Sequence, residues 1–309
     1  MEERCDEMAK SAKKINPRAP IRRQAMRRIF GMRRFGEAGP LLAVLSYAVV
    51  VVASLIAILP FFYIISTAIK QSKFLFEYPP QWIPKVMYWG NFAHLILKTP
   101  FLRWVFNTLF VSLTVTALKL FFDTMAGYAF AKMSFPGKEI LFVLVIATLM
   151  IPFSAILIPL YFIIRGMGLL NTYWALILPP LANPIGIFLM RSFIESLPSD
   201  LENAARLDGT SEFGIYRTII LPLVRPAMVV LGVLTFNLQY TSFLWPLVAI
   251  SSTKLFVLTQ GIATQRGITV IDYGIFSAGA FMAMIPITLF FLLLQKQWIS
   301  ASLAGALKQ

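Results

Sequence analysis

The sequence predicts an all-α, multi-pass membrane protein with six transmembrane helices, and three observations carry that prediction. The 309 residues are 58% hydrophobic and only 14% charged, with a mean hydropathy of +0.74; a soluble domain is nearer about 45–50% apolar and about 25% charged. Apolar runs of about 20 residues, enough to cross a bilayer, recur along the chain. Eleven of the 28 basic residues precede residue 40, in "RRQAMRRIFGMRR" and its flanks, ahead of the first apolar run. That placement is the positive-inside signal of a cytoplasmic N-terminus, and it argues against reading the net charge of +14 as a nucleic-acid-binding surface.

The basic tail, 1–40, mixes its arginines with Ile29, Phe30 and Phe35 around a helical wheel, so it reads as a disordered or loosely membrane-apposed segment. The first span is about 42–66, too long for a signal-peptide core and without a clear cleavage site. It and the loop after it form the segment 41–104. The core, 105–296, holds spans at about 106–130, 139–163, 170–190, 218–238 and 275–295; a cytoplasmic tail, 297–309, ends the chain. This topology puts 67–105, 164–169 and 239–274 outside, and 131–138, 191–217 and the C-terminus inside. Trp82, Tyr88 and Trp89 in the first outer loop read as interfacial aromatics. The single histidine, His94, falls in that loop and reads as solvated, and one cysteine, Cys5, makes no intrachain disulfide. Prolines in the spans, Pro152, Pro159, Pro179, Pro180, Pro184 and Pro286 among them, mark either packing kinks or moving, ligand-lining segments.

One stretch interrupts this greasy pattern. "LPSDLENAARLDGTSEFGIYRTIILP" (197–222) carries Asp200, Glu202, Asp208 and Glu212, with Glu195 just upstream. Ser199 and Glu202 have capping-box spacing, so a helix is expected to start at Asp200. Gly209 supplies a left-handed residue to end it, and Thr210 or Ser211 caps a second helix with Glu212 in its first turn. An acidic helix–turn–helix on the cytoplasmic face runs against the charge bias of topology, which points to a protein partner.

Ala204-Ala205-x-x-x-Gly209, nine residues, then Ile219-x-Leu221-Pro222, resembles the EAA loop of ABC-importer permeases of the carbohydrate-uptake branch. Asp208–Gly209, "AGYAFAKMSFPGK" (126–138), "FLWPL" (243–247) and "IPITLFFLLLQKQW" agree with it, and the resemblance covers about residues 40–309. It implies a type I importer permease in a bacterial or archaeal cytoplasmic membrane. Its partners would be a second permease subunit, an extracytoplasmic solute-binding protein and two ATPase subunits that hold the ATP and Mg2+. In that scheme the loop is a coupling helix seated in the ATPase. Glu202, Asn203 and Asp208 belong to it, Ala204 and Ala205 allow close packing, and Gly209 makes the turn. Ile219, Leu221 and Pro222 lead into the span. The solute would be a sugar, an oligosaccharide or a polyol phosphate, and Asn237, Tyr240 and Trp245 are its candidate contacts.

Two positions depart from the family pattern. Asn203 stands where a glutamate is usual, so either it makes a neutral hydrogen bond to the ATPase or coupling rests on the companion permease. Tyr240 and Thr241 replace a Trp-Asn pair. The chain has no P-loop, because "FPGKE" lacks the required glycine and Ser/Thr. No metal-ligand cluster or catalytic residue is visible. For an ion-coupled carrier or an intramembrane enzyme, the rival classes, the one pair of neighbouring charges the sequence offers inside a span is Lys119 and Asp123. These are one turn apart in the second span and read as either a functional site or a self-neutralising packing pair. On the topology above, an Arg266→Cys probe on a Cys5→Ser background is expected to react with membrane-impermeant maleimide from outside intact cells; labelling from the cytoplasmic side alone would overturn it.

Overall fold

A computed structural model describes residues 40–75, 77–78, 81–265 and 272–306, with side chains for fewer of these. The basic tail up to residue 39, with Cys5, lies outside the described residues, as do 266–271 and 307–309. The described residues are helical and without strands. Helix α1 spans Pro40–Ala68 and α2 Gly90–Lys98; α3 runs Phe101–Lys132. Helices α4 (Lys138–Ala147) and α5 (Phe153–Gly166) are followed by α6 (Tyr173–Leu181) and α7 (Ile185–Glu195). Short helices α8 (Asp200–Leu207), α9 (Glu212–Ile215) and α10 (Leu221–Leu223) precede α11, Arg225–Tyr240. Helices α12 (Leu244–Ala249), α13 (Leu258–Thr264) and α14 (Tyr273–Ala306) complete the chain.

Among the described residues three helices are long and apolar enough to cross a membrane, and the count reaches six if each of three bent pairs is one span. The bends fall in the third, fourth and fifth expected spans, and prolines explain them. Between α4 and α5 the axis turns by 104°: Pro152 has no amide to donate and forces Ile151 into extended backbone, φ −86° and ψ 116°. The α6–α7 pair bends by 41° just before Pro184, and the segment Glu212–Leu223 meets α11 at 77° just before Pro226. The loops expected outside are also partly helical, and His94 lies exposed on α2 instead of in a loop. Likewise α14 continues to Ala306, through most of the expected tail.

The chain divides into two units at Phe61. In the first, the described side chains from Val44 onward are exposed apart from half-buried Ser46, an apolar surface suited to lipid or another membrane helix. In the second, α3 is the spine and packs chiefly on α7 and α11. The N-terminal half of α3 contributes Phe101, Trp104, Val111 and Val115 to one apolar cluster, with Trp245, Phe256 and Leu258. Its C-terminal end contributes Tyr128 to a second, with Met190, Ile194, Ala205, Ile215 and Leu231. Side chains also tie down the non-helical backbone at the first cluster. Asn107 donates to the carbonyls of Lys254 and Phe256, both at 2.9 Å. Asn171, at φ +58°, accepts from the amides of Ser251 and Ser252.

Helices α3 and α7 touch backbone to backbone at Gly127, where a Cβ would sit 2.6 Å from Met190 Cβ and 2.9 Å from the Arg191 amide nitrogen. Glycine-to-alanine in a helix ordinarily stabilises by about 1 kcal/mol. Gly127→Ala is expected to do the opposite, since overpacking costs about 1–3 kcal/mol and the atoms it meets include backbone. Thermal unfolding of the detergent-solubilised protein checks the sign.

Candidate functional site

The segment 197–222 folds as expected in outline and differently in its chemistry. Helix α8 starts at Asp200, but no capping box forms: Ser199 has helical backbone (φ −76°, ψ −10°) and its side chain makes no cap bond. Its hydroxyl instead accepts a hydrogen bond from Lys132 Nζ at 3.0 Å. Glu202 turns inward and is 1% exposed. Its carboxylate lies 3.2 Å from Lys132 Nζ and 3.6 Å from Arg206 Nη2. Burial decides the matter, because an enclosed carboxylate requires a full opposite charge nearby, and the Ser199 amide of a capping box carries none. Lys132, the last residue of α3, also donates to the Leu197 carbonyl at 2.7 Å.

At the C-terminus of α8, Gly209 is left-handed, φ +77°. The Thr210 amide donates to the Ala205 carbonyl and the Gly209 amide to the Arg206 carbonyl, the paired bonds of a Schellman turn. Of the two possible caps for the next helix, Ser211 is used: its hydroxyl accepts from the Gly214 amide at 3.2 Å. Glu212 then receives both Arg206 Nε at 2.7 Å and the Tyr128 hydroxyl at 2.7 Å. The Glu212 carboxylate raises the pKa of the Arg206 guanidinium above its ordinary value, against a smaller opposing effect of burial. A chain of contacts therefore runs Lys132–Glu202–Arg206–Glu212–Tyr128. Both of its ends stand on α3, so the loop is gripped from one helix.

The outward face has the opposite character. Leu207 is 90% exposed, and Leu201, Asn203, Ala204, Asp208, Gly209 and Phe213 are exposed around it. Asn203 Oδ1 accepts from Arg206 Nη1 at 3.2 Å. The alanine pair splits, Ala205 packing into the second cluster while Ala204 faces out. Ile219 lies in a π-helical turn, Tyr216–Ile220, with Leu221 and Pro222 just beyond it at the bend. Pro222 has no amide for the carbonyl four residues back, and a π turn is one way a helix absorbs such a loss.

The other sequence-predicted group divides. Tyr240 is buried, stacked 5.6 Å from Phe236, and its hydroxyl donates to the Ala283 carbonyl at 2.7 Å. Trp245 is buried with its indole N–H on the Ala175 carbonyl at 2.7 Å. Asn237 is exposed. Lys132, Arg206 and Tyr128 were not singled out from sequence. Lys132 lies within "AGYAFAKMSFPGK", but nothing in that string shows that its partner is a glutamate 70 residues on. Among the described residues no group of three or more His, Cys, Asp or Glu side chains could hold a metal ion.

Broken apolar helices packed on a central spine, with a turn held by ion pairs at one end, define a helical membrane protein. Residues 123–297 match the family described as "Binding-protein-dependent transport system inner membrane component", and the chain belongs to it. It is 35% identical over 226 residues to the arabinooligosaccharides transport system permease protein AraQ of Halalkalibacterium halodurans, covering 73% of this chain and 81% of that one. It is 31% identical over 251 residues to the sulfoquinovosyl glycerol transport system permease protein SmoH of Agrobacterium fabrum, covering 81% and 88%. The fold is similar to a chain in the crystal structure of a bacterial ABC transporter involved in the import of the acidic polysaccharide alginate. There the TM-score is 0.71 at 19% identity, with 86% of this chain and 99% of that one covered.

Removing one partner of a buried pair strands the other charge. Lys132→Met is therefore expected to destabilise the loop by about 3 kcal/mol, the low end for such pairs, since Arg206 remains beside Glu202. Faster limited proteolysis within 197–212 than in the parent protein is the readout.

Proposed function

We infer that this chain forms half of the translocation pathway of a binding-protein-dependent ABC importer and couples it to a separate ATPase through the loop 197–222. The observation that carries this is the division of the loop. Three of its charges, Glu202, Arg206 and Glu212, are spent on α3 and on one another, while the apolar Leu207 and Phe213 stand exposed with Asp200, Asp208 and Arg217 around them. An exposed apolar projection on a rigid base is what docking into a protein cleft requires. Glu202 then transmits displacement inward to α3 instead of meeting the ATPase, and Asn203, Ala204, Asp208 and Gly209 line the docking face. ATP and Mg2+ belong to that partner. A second permease subunit completes the pathway, and an extracytoplasmic binding protein delivers the solute. Both termini are cytoplasmic, in a bacterial or archaeal membrane.

The solute is a sugar, an oligosaccharide or a polyol phosphate, a range supported by the names of the relatives. Asn237 is the solute-contacting side chain of this chain. Tyr240 and Trp245 tie α11 and α12 to neighbouring helices through the Ala283 and Ala175 carbonyls.

Leu207→Asp tests the docking face without touching the chain's own packing. It is expected to leave membrane insertion and thermal midpoint unchanged, while ATPase co-purification and uptake fall at least about tenfold, the effect of losing roughly 1.4 kcal/mol at a contact. Gly209→Val adds backbone strain of roughly 1–2 kcal/mol. Apart from its two chain neighbours, no atom of the described residues lies within 4 Å of a Cβ placed there, so a loss of binding beyond that strain reports on the partner. Wild-type ATPase capture and uptake by both variants would refute the coupling role.

A further inference from the structure

Lys119 and Asp123 lie on α3 between the two apolar clusters, with Nζ 2.8 Å from Oδ2 and side chains 4% and 3% exposed. Mutual attraction alone rarely compensates two charges for such burial; further partners are needed. Lys119 finds one at the break between α6 and α7, against which the Asp123 carboxylate also lies, its Oδ2 accepting no further hydrogen bond there. Lys119 Nζ donates to the Asn183 carbonyl at 2.6 Å. Asn183 belongs to neither helix, and its own side-chain oxygen accepts from the Ile185 amide at 3.0 Å. On the other side of the break, Asp123 lies against Gly186, in the first turn of α7. Any Cβ at Gly186 would strike that carboxylate. Helix α7 has no side-chain cap of its own, Pro184 standing at its N-cap.

The polarity is ordered. The ammonium faces a carbonyl just beyond the C-terminal, electronegative end of α6, and the carboxylate faces the electropositive start of α7. Lysine then aspartate along α3 matches the sequence of the two helix ends across the break. A pair retained only to cancel its own charge would have no such requirement.

We propose that Lys119 and Asp123 are positioning residues: a polar staple on α3 that sets the 41° break of the fourth span. They bind neither solute nor proton. Helix α3 then holds the α6–α7 break at its middle and the loop 197–212 at its end, so one rigid element fixes both. The staple does not depend on the identity of the ATPase partner, and its test reads geometry directly.

The test uses spin labels on the exposed positions Trp174→Cys in α6 and Ser192→Cys in α7, on a Cys5→Ser background, with distances measured by pulsed EPR in the purified full chain. Three paired variants are compared. Lys119→Gln with Asp123→Asn keeps a donor at 119 and an acceptor at 123, and is expected to keep the parent distance. Lys119→Met with Asp123→Leu removes both and is expected to broaden or shift it. Lys119→Asp with Asp123→Lys keeps neutrality but sets acceptor against carbonyl and cation against the start of α7. It is expected to be the worst of the three, with a thermal midpoint on the order of 5 °C below the Met/Leu pair. Should the swapped chain fail to insert, the Gln/Asn and Met/Leu distances decide between the readings; equal distributions overturn the staple. A swapped chain as well ordered as the parent also overturns it. So does a Gln/Asn chain of parent distance and stability that has lost uptake, because the charges would then act in the pathway.

Discussion

Every backbone amide and carbonyl inside hydrocarbon must find a partner within the protein, and the architecture follows from how this chain meets that demand where its helices stop. A continuous helix such as α3 satisfies its own backbone over 32 residues. Three of the possible spans are instead broken by 41° to 104°, and each break frees carbonyls. The chain answers with side chains from neighbouring elements. At the α6–α7 break Lys119 serves Asn183; elsewhere Asn107 serves Lys254 and Phe256 in the irregular segment before α13, and Trp245 and Tyr240 serve carbonyls within α6 and α14. Buried polar side chains in this membrane protein thus serve irregular backbone, and at the α6–α7 break one of them serves a carbonyl between the two helices.

Because α3 is the unbroken element at the centre of the second unit, these obligations converge on it. Its first half anchors the irregular segment near 253–258, its middle holds the α6–α7 break, and its end grips the segment 197–212 through Lys132 and Tyr128. A displacement applied to that loop is delivered to α3 through an enclosed ion pair, whose partners cannot exchange for water without stranding a charge. The proposed coupling role needs that kind of stiffness. The exposed leucine and phenylalanine of the loop stand on a base whose geometry is already decided.

The loop's turn was legible from its residues. Gly209 had to be left-handed to end a helix there, and a serine or threonine followed by Glu212 had to begin another. What spacing could not reveal was the destination of Glu202. Ser-x-x-Glu satisfies a capping box locally, yet a carboxylate under the chain's own packing goes to the cation that the fold brings beside it. The same applies to Tyr240 and Trp245. Aromatic residues near the end of a span suit a sugar face, but their polar atoms were needed by Ala283 and Ala175, which only the packed helices present to them.

Composition and the length of the apolar runs determined that this is a helical membrane protein, and the alanine–glycine–proline spacing of residues 204–222 determined its family resemblance, since both depend on properties local to the chain. The prolines announced interruptions, because a missing amide is written in the residue itself. Tertiary structure decided the angles of those interruptions, the inward turn of Glu202 and the partners of Lys119 and Asp123. These depend on which distant carbonyl or charge arrives at the same place, and in a low-dielectric interior the nearest complementary group outweighs any local preference.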